Sequence, residues 1–157
     1  MQWDIGSILS TAAVFLFLSV GSISDYRSRT VSMRWIELWI AVGISLDIYK
    51  ICFGKLTIQG LLCGILPGVC LLLVAYFTGA AGVGDGFTWL IVGFLWDSAD
   101  CLGAFAVSLI LIFLWSIGVL VLKRAGKKTR LPFLPFSFAG TVLWMTAVSL
   151  GVFESNL

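Results

Sequence analysis

A chain of 157 residues that is 60% hydrophobic and 11% charged, with mean hydropathy +1.07, is composed for a bilayer and not for a soluble core. Its formal net charge is only +2, and the partners expected are lipid and protein, with no nucleic acid. Histidine is absent, which excludes Ser-His-Asp and Cys-His catalysis and histidine-based zinc sites such as H-E-x-x-H.

Six segments approach the roughly 20 apolar residues of a helical span, at approximately 5–23, 35–51, 57–78, 86–96 with part of the preceding loop, 101–122 and 133–153. The first follows "MQWDIG", with Asp4 where a secretory signal carries Lys or Arg, and reads as a retained span. It runs into "SDYRSRTVSMR", which holds Asp25, Arg27, Arg29 and Arg34. The second carries Glu37 and Asp47 towards its ends. The third has Gly60, Gly64 and Gly68 at four-residue spacing, a ridge for close helix packing, and Pro67 as a potential kink. "AGVGDGFTWLIVG" then places Gly82, Gly84 and Asp85 before a short fourth span, which needs Val83 onward or a thin bilayer to cross. The following "DSAD", with Asp97 and Asp100, reads as a solvated turn. After the fifth span comes "KRAGKKTR", and the sixth opens on "LPFLPF", where Pro132 and Pro135 predict an extended lead-in. Cys52, Cys63, Cys70 and Cys101 show no C-x-x-C spacing and read as small apolar packing residues.

With six spans, the two Arg/Lys-rich loops and the glycine loop share one side. That side carries all the basic residues except Lys50 and Lys55, so the positive-inside rule makes it cytoplasmic, with both termini outside. Asp25 ends the first span and Asp85 begins the fourth, both at this face. Singly, each has an ordinary role: Asp85 as a helix N-cap, Asp25 as an interfacial partner of Arg27 or Arg29. Together, two carboxylates at one membrane depth are the minimum equipment of an aspartic protease, in which two carboxyls share a proton and act as base and acid on a water. Gly82 and Gly84 either form a tight turn or let a substrate backbone approach Asp85.

Three separated segments carry a family resemblance. "GVGD", Gly82 to Asp85, with Gly93 eight residues beyond the aspartate, is similar to the G-x-G-D motif of the type IV prepilin peptidases. "DYRSRTV", from Asp25, resembles that family's other catalytic segment, and "LPFLPF" resembles its Pro-Phe-x-Pro-Phe element, with Phe133 between the prolines. The resemblance implies an all-α membrane protein of about six transmembrane helices, a single polytopic peptidase domain over 1–157. It implies a membrane aspartic endopeptidase that removes the leader of prepilin or pseudopilin precursors at the cytoplasmic face, with Asp25 and Asp85 as its dyad and no cofactor. Gly82, Gly84, Pro132, Phe133 and Pro135 would shape the substrate cleft. The likeness is to compact, peptidase-only members, without the C-x-x-C insert and methyltransferase activity of larger ones.

Two places depart from the family: Val31, Ser32 and Met33 stand where it often has Ile-Pro-Asn, and Phe87 where it often has Lys. A presenilin-like G-x-G-D protease is the alternative enzyme, although Ser24 precedes the first aspartate where those proteins have Tyr, and no Pro-Ala-Leu motif occurs. An inactive assembly factor or a small transporter is the non-enzyme alternative, the latter normally marked by mid-span acids and inverted repeats.

Overall fold

A computed structural model of the chain describes residues 5–28, 32–79, 82–96, 98–121 and 133–151. These residues form six α-helices: α1 Ile5–Ser28, α2 Met33–Cys52, α3 Ile58–Thr78, α4 Val83–Leu95, α5 Ser98–Val121 and α6 Phe133–Ser149. Three of the described helices, α1, α3 and α5, contain stretches long and apolar enough to cross a membrane, and α4 and α6 are shorter apolar helices. α2 is interrupted by Arg34, Glu37, Asp47 and Lys50.

The helix ends differ from the hydropathy boundaries in an instructive way. α1 runs past its last apolar residue through Ser24 and Asp25 to Ser28, because no Gly or Pro interrupts the backbone ladder where hydropathy falls. α5 begins at Ser98, so Asp100 occupies its first turn. The Asp100 carboxylate is half-buried and accepts a hydrogen bond from Trp144 Nε1 at 3.0 Å. The expected solvated turn is therefore a helix start fastened to α6; Asp97 lies outside the described residues.

α4 is the axle of the bundle. It touches each of the other helices, while α3, α5, α6 and α1 follow one another around it and α2 lies against its remaining side. Trp89, Ile91, Val92 and Leu95 of α4 are fully buried, together with Val14, Phe17 and Leu18 of α1 and Cys101 and Ala104 of α5. The exposed surface carries large apolar side chains on every side, including Ile58, Phe77, Phe113 and Leu120, as a lipid-facing bundle requires.

The α3–α4 pair packs backbone on backbone. A Cβ on Gly64 would stand 2.9 Å from the Gly93 carbonyl oxygen, and one on Gly68 would overlap the Leu90 backbone. On α4, Gly86 makes room for the Leu72 side chain of α3, whose Cγ a Cβ there would meet at 2.6 Å. Two of the three ridge glycines thus perform the packing role expected of them, while Gly60 sits beside the Thr57 cap, donating its N–H to Thr57 Oγ1 at 3.1 Å. Cys101 adds a polar stitch, its thiol donating to Gly64 O at 3.3 Å. The other three cysteines are exposed, against the packing role expected of them. α3 ends at Gly79 in the left-handed conformation, φ 62°, which a glycine adopts without the Cβ penalty.

Gly68→Ala and Gly93→Ala should each destabilise the bundle by about 1–3 kcal/mol or more, since the added methyl meets backbone that cannot rotate away. Thermal unfolding in detergent checks this. The same change at Gly118, which has open space around it, should leave the melting temperature unchanged or raise it.

Candidate functional site

The C-terminal end of α1 and the N-terminal end of α4 lie near one another, the end of α1 carrying Asp25 and the start of α4 carrying Asp85. Asp25 is three residues before the end of α1, about 4.5 Å along the axis. Asp85 is the third residue of α4. The two carboxylates are near enough for their charges to act on one another. α1 and α4 therefore bring near one another the two aspartates singled out from sequence.

Local chemistry explains how Asp85 is held. Gly82, not Asp85, is the N-cap of α4, with extended dihedrals (φ −75°, ψ 133°) and no side chain to cap with. Asp85 stands at the third helical position and its carboxylate reaches back to the Gly82 backbone N–H, the reciprocal half of a capping box. Its own N–H donates to Gly82 O at 3.0 Å. The anion also sits at the positive end of the α4 dipole. One turn on, Thr88 Oγ1 donates to Gly84 O at 2.9 Å.

Asp25 is different. Both aspartates are half-buried, but the Oδ2 of Asp25 is fully buried with no hydrogen-bond partner among the described residues. A desolvated carboxylate oxygen without a donor is costly. Ser22, one turn earlier, likewise has a buried hydroxyl with no partner among them. Pairing of Asp25 with the side chain of Arg27 or Arg29 falls outside what is described, as do Val31, Leu131, Pro132, the "KRAGKKTR" loop, Asp4 and Glu154.

The two motif glycines have separate reasons. A Cβ on Gly82 would lie 2.9 Å from Asp85 Oδ2 and 3.4 Å from its Cγ, so the missing side chain makes room for the carboxylate itself. Gly84 has nothing within 4 Å of a Cβ position and faces open space. Phe87, the departure from the family motif, is partly buried and packs against the core.

Pro135 corrects an expectation. It lies inside α6, in the first turn, and not in an extended lead-in. A proline is accommodated there because the first-turn N–H groups have no intrahelical partner to lose. Phe133 is the first residue of the helix and half-buried.

Residues that sequence reading passed over complete the neighbourhood. Trp89, four residues after Asp85 and fully buried, donates its indole N–H to Ser137 Oγ of α6 at 3.2 Å. Its ring meets Phe105 of α5 edge-on, centroids 4.9 Å apart. Ser137 Oγ in turn donates to Phe133 O at 3.3 Å. Ser137 and Thr141, polar residues at i, i+4 in α6, signal a polar contact in the sequence but not its partner.

Compared with known proteins, the chain matches no family model, no curated protein and no solved structure.

Substituting the two glycines should have opposite effects on stability. Gly82→Ala should lower the melting temperature by displacing the Asp85 carboxylate from its cap. Gly84→Ala, inside a helix and facing open space, should stabilise by roughly 0.5–1 kcal/mol. Melting curves in one detergent decide both signs.

Proposed function

We propose that the chain is a six-span aspartic endopeptidase of the cytoplasmic membrane, with both termini outside, that removes the leader peptide from type IV prepilin or pseudopilin-like precursors at the cytoplasmic face. The observation that carries this reading is the approach of Asp25 and Asp85 from separate helices at one end of the bundle. The segments similar to the prepilin peptidase motifs supply the substrate class: "GVGD", "DYRSRTV" and "LPFLPF".

The chemistry needs only these two carboxyls and a water. One carboxylate takes a proton from the water as its oxygen adds to the scissile carbonyl carbon. The other carboxyl gives its proton to the carbonyl oxygen. Collapse of the tetrahedral diol breaks the C–N bond: the protonated carboxyl gives its proton to the leaving nitrogen while the carboxylate takes one from a diol hydroxyl. The pair then holds a single proton again and titrates as a unit. The capping contact with the Gly82 amide supports this role by fixing Asp85 in one rotamer. The open side of Gly84 offers a path by which an extended substrate backbone comes within reach.

Asp25→Asn and Asp85→Asn should each abolish processing of a co-expressed prepilin, while the variants still accumulate in membranes at the parental level. An immunoblot separating precursor from mature pilin reads the result; near-normal processing by either variant sinks the dyad. Gly84→Ala should cleave more slowly than the parent despite its greater stability, because its methyl occupies the approach to Asp85.

A further inference from the structure

The proposed dyad lies on two helices that are far apart in sequence, so something must set how α1 and α4 are turned towards one another. A rotation of about 20° moves an atom at the rim of a helix, roughly 5 Å from its axis, by about 2 Å. Shifts of that size separate a productive carboxyl pair from an idle one.

The start of α6 touches both helices one turn inward from the aspartates. On α1, Gly21 precedes Asp25 by four residues and shares its face. A Cβ on Gly21 would stand 2.8 Å from Leu134 Cδ2, so the Leu134 side chain lies directly on the α1 backbone. On α4, Trp89 follows Asp85 by four residues and shares its face, and its indole donates to Ser137 at 3.2 Å. Leu134 and Ser137, three residues apart on α6, fall on one side of that helix. Leu134 is 2% exposed and Ser137 is fully buried, so neither contact has room to slide. The Ser137 side chain is itself tied to Phe133 O, and its carbonyl accepts from Thr141 Oγ1 at 2.9 Å and from Ser108 Oγ of α5 at 3.4 Å. Gly140 brings α6 hard against Ser108, holding the receiving helix in place from the other side.

We propose that Leu134 and Ser137 form a two-point clamp, gripping α1 at Gly21 and α4 at Trp89, which sets the approach of Asp25 to Asp85. The inference rests on the peptidase reading for its kinetic consequence but not for its geometry. Trp89, Leu134 and Ser137 are positioning residues: they act through the rotation of α1 and α4 and touch no substrate. The clamp also accounts for the "LP" at Leu134 and Pro135. Pro135 stiffens the turn between the two gripping residues, where its missing N–H costs no bond.

The test uses the full chain with Trp89→Phe, which keeps a ring and removes the donor, and Ser137→Ala, which removes the acceptor. Ser45→Ala is the control, an exposed hydroxyl bonded only within α2. Each of the first two should lower kcat for a prepilin-type substrate about ten-fold with KM within about two-fold, and the double variant should be no worse than the poorer single. Independently of any activity, cysteines introduced by Asp25→Cys and Asp85→Cys should form a disulfide-linked 25–85 peptide, read by mass spectrometry. Its yield should fall at least about three-fold when Trp89→Phe or Ser137→Ala is added, and not with Ser45→Ala. An unchanged cross-link yield overturns the clamp, whether or not the parent cleaves pilin. So do additive kinetic losses, or a kcat that stays at the parental value. Absence of cleavage by the parent, with the cross-link still dependent on Trp89 and Ser137, overturns the peptidase reading and leaves the clamp standing.

Discussion

Everything at the proposed catalytic end depends on how closely α3 and α4 approach. In lipid, apolar side chains gain little by leaving one apolar environment for another, so helix association relies on close packing and buried hydrogen bonds. Gly64 against Gly93 and Gly68 against Leu90 let the two backbones meet without intervening side chains. That contact fixes the depth of α4 in the bundle. With only thirteen residues, α4 is about 20 Å long, well short of a ~30 Å hydrocarbon core. A helix of that length crosses only where the bilayer is locally thin, and its ends need partners within the protein.

Both ends of α4 are managed by charge. At its start, the Asp85 carboxylate accepts from the backbone N–H of the N-cap Gly82. At its end, Lys50 Nζ of α2 donates to Leu95 O at 3.2 Å. An anion at the N-terminus and a cation at the C-terminus both oppose the helix dipole favourably. The short central helix and its half-buried acid thus follow from one another: the recess that shortens α4 also calls for a carboxylate at its N-terminal end. This stabilising role and the proposed chemical one are compatible, because a capped carboxylate is a positioned one.

Much of this was legible in the sequence. Hydropathy locates all six helices, and the alternation of connections alone puts Asp25 and Asp85 at the same end. What it missed has physical causes. Hydropathy ends at Ser24, but a helix needs unbroken hydrogen bonding, so α1 continues to Ser28. Pro135 reads as a helix breaker only if its place relative to the helix start is unknown. Asp100 looked solvated because the Trp144 indole that claims it comes from a helix more than forty residues on. The Trp89–Ser137 bond was invisible for the same reason, since side-chain pairing between distant helices leaves no local period in either.

The position that departs most plainly from the resembling motif, Phe87, is informative when its direction is considered. At about 100° per residue, a side chain two positions after Asp85 points roughly 200° away from it, to the far side of α4. Phe94 lies seven residues beyond Phe87 and so on nearly the same side, and its Cβ is the atom that a Cβ on Gly43 of α2 would meet at 2.7 Å. Phe87 itself is partly buried against the core. A lysine in its place would project towards α2 and not towards Asp25. The departure therefore exchanges a cation for packing on the face of α4 turned away from the dyad. Trp89, which no motif singles out, comes round to about 40° from Asp85 and stands on the carboxylate's own side. For the proposed chemistry, the residue to watch on α4 is four positions after the aspartate and not two.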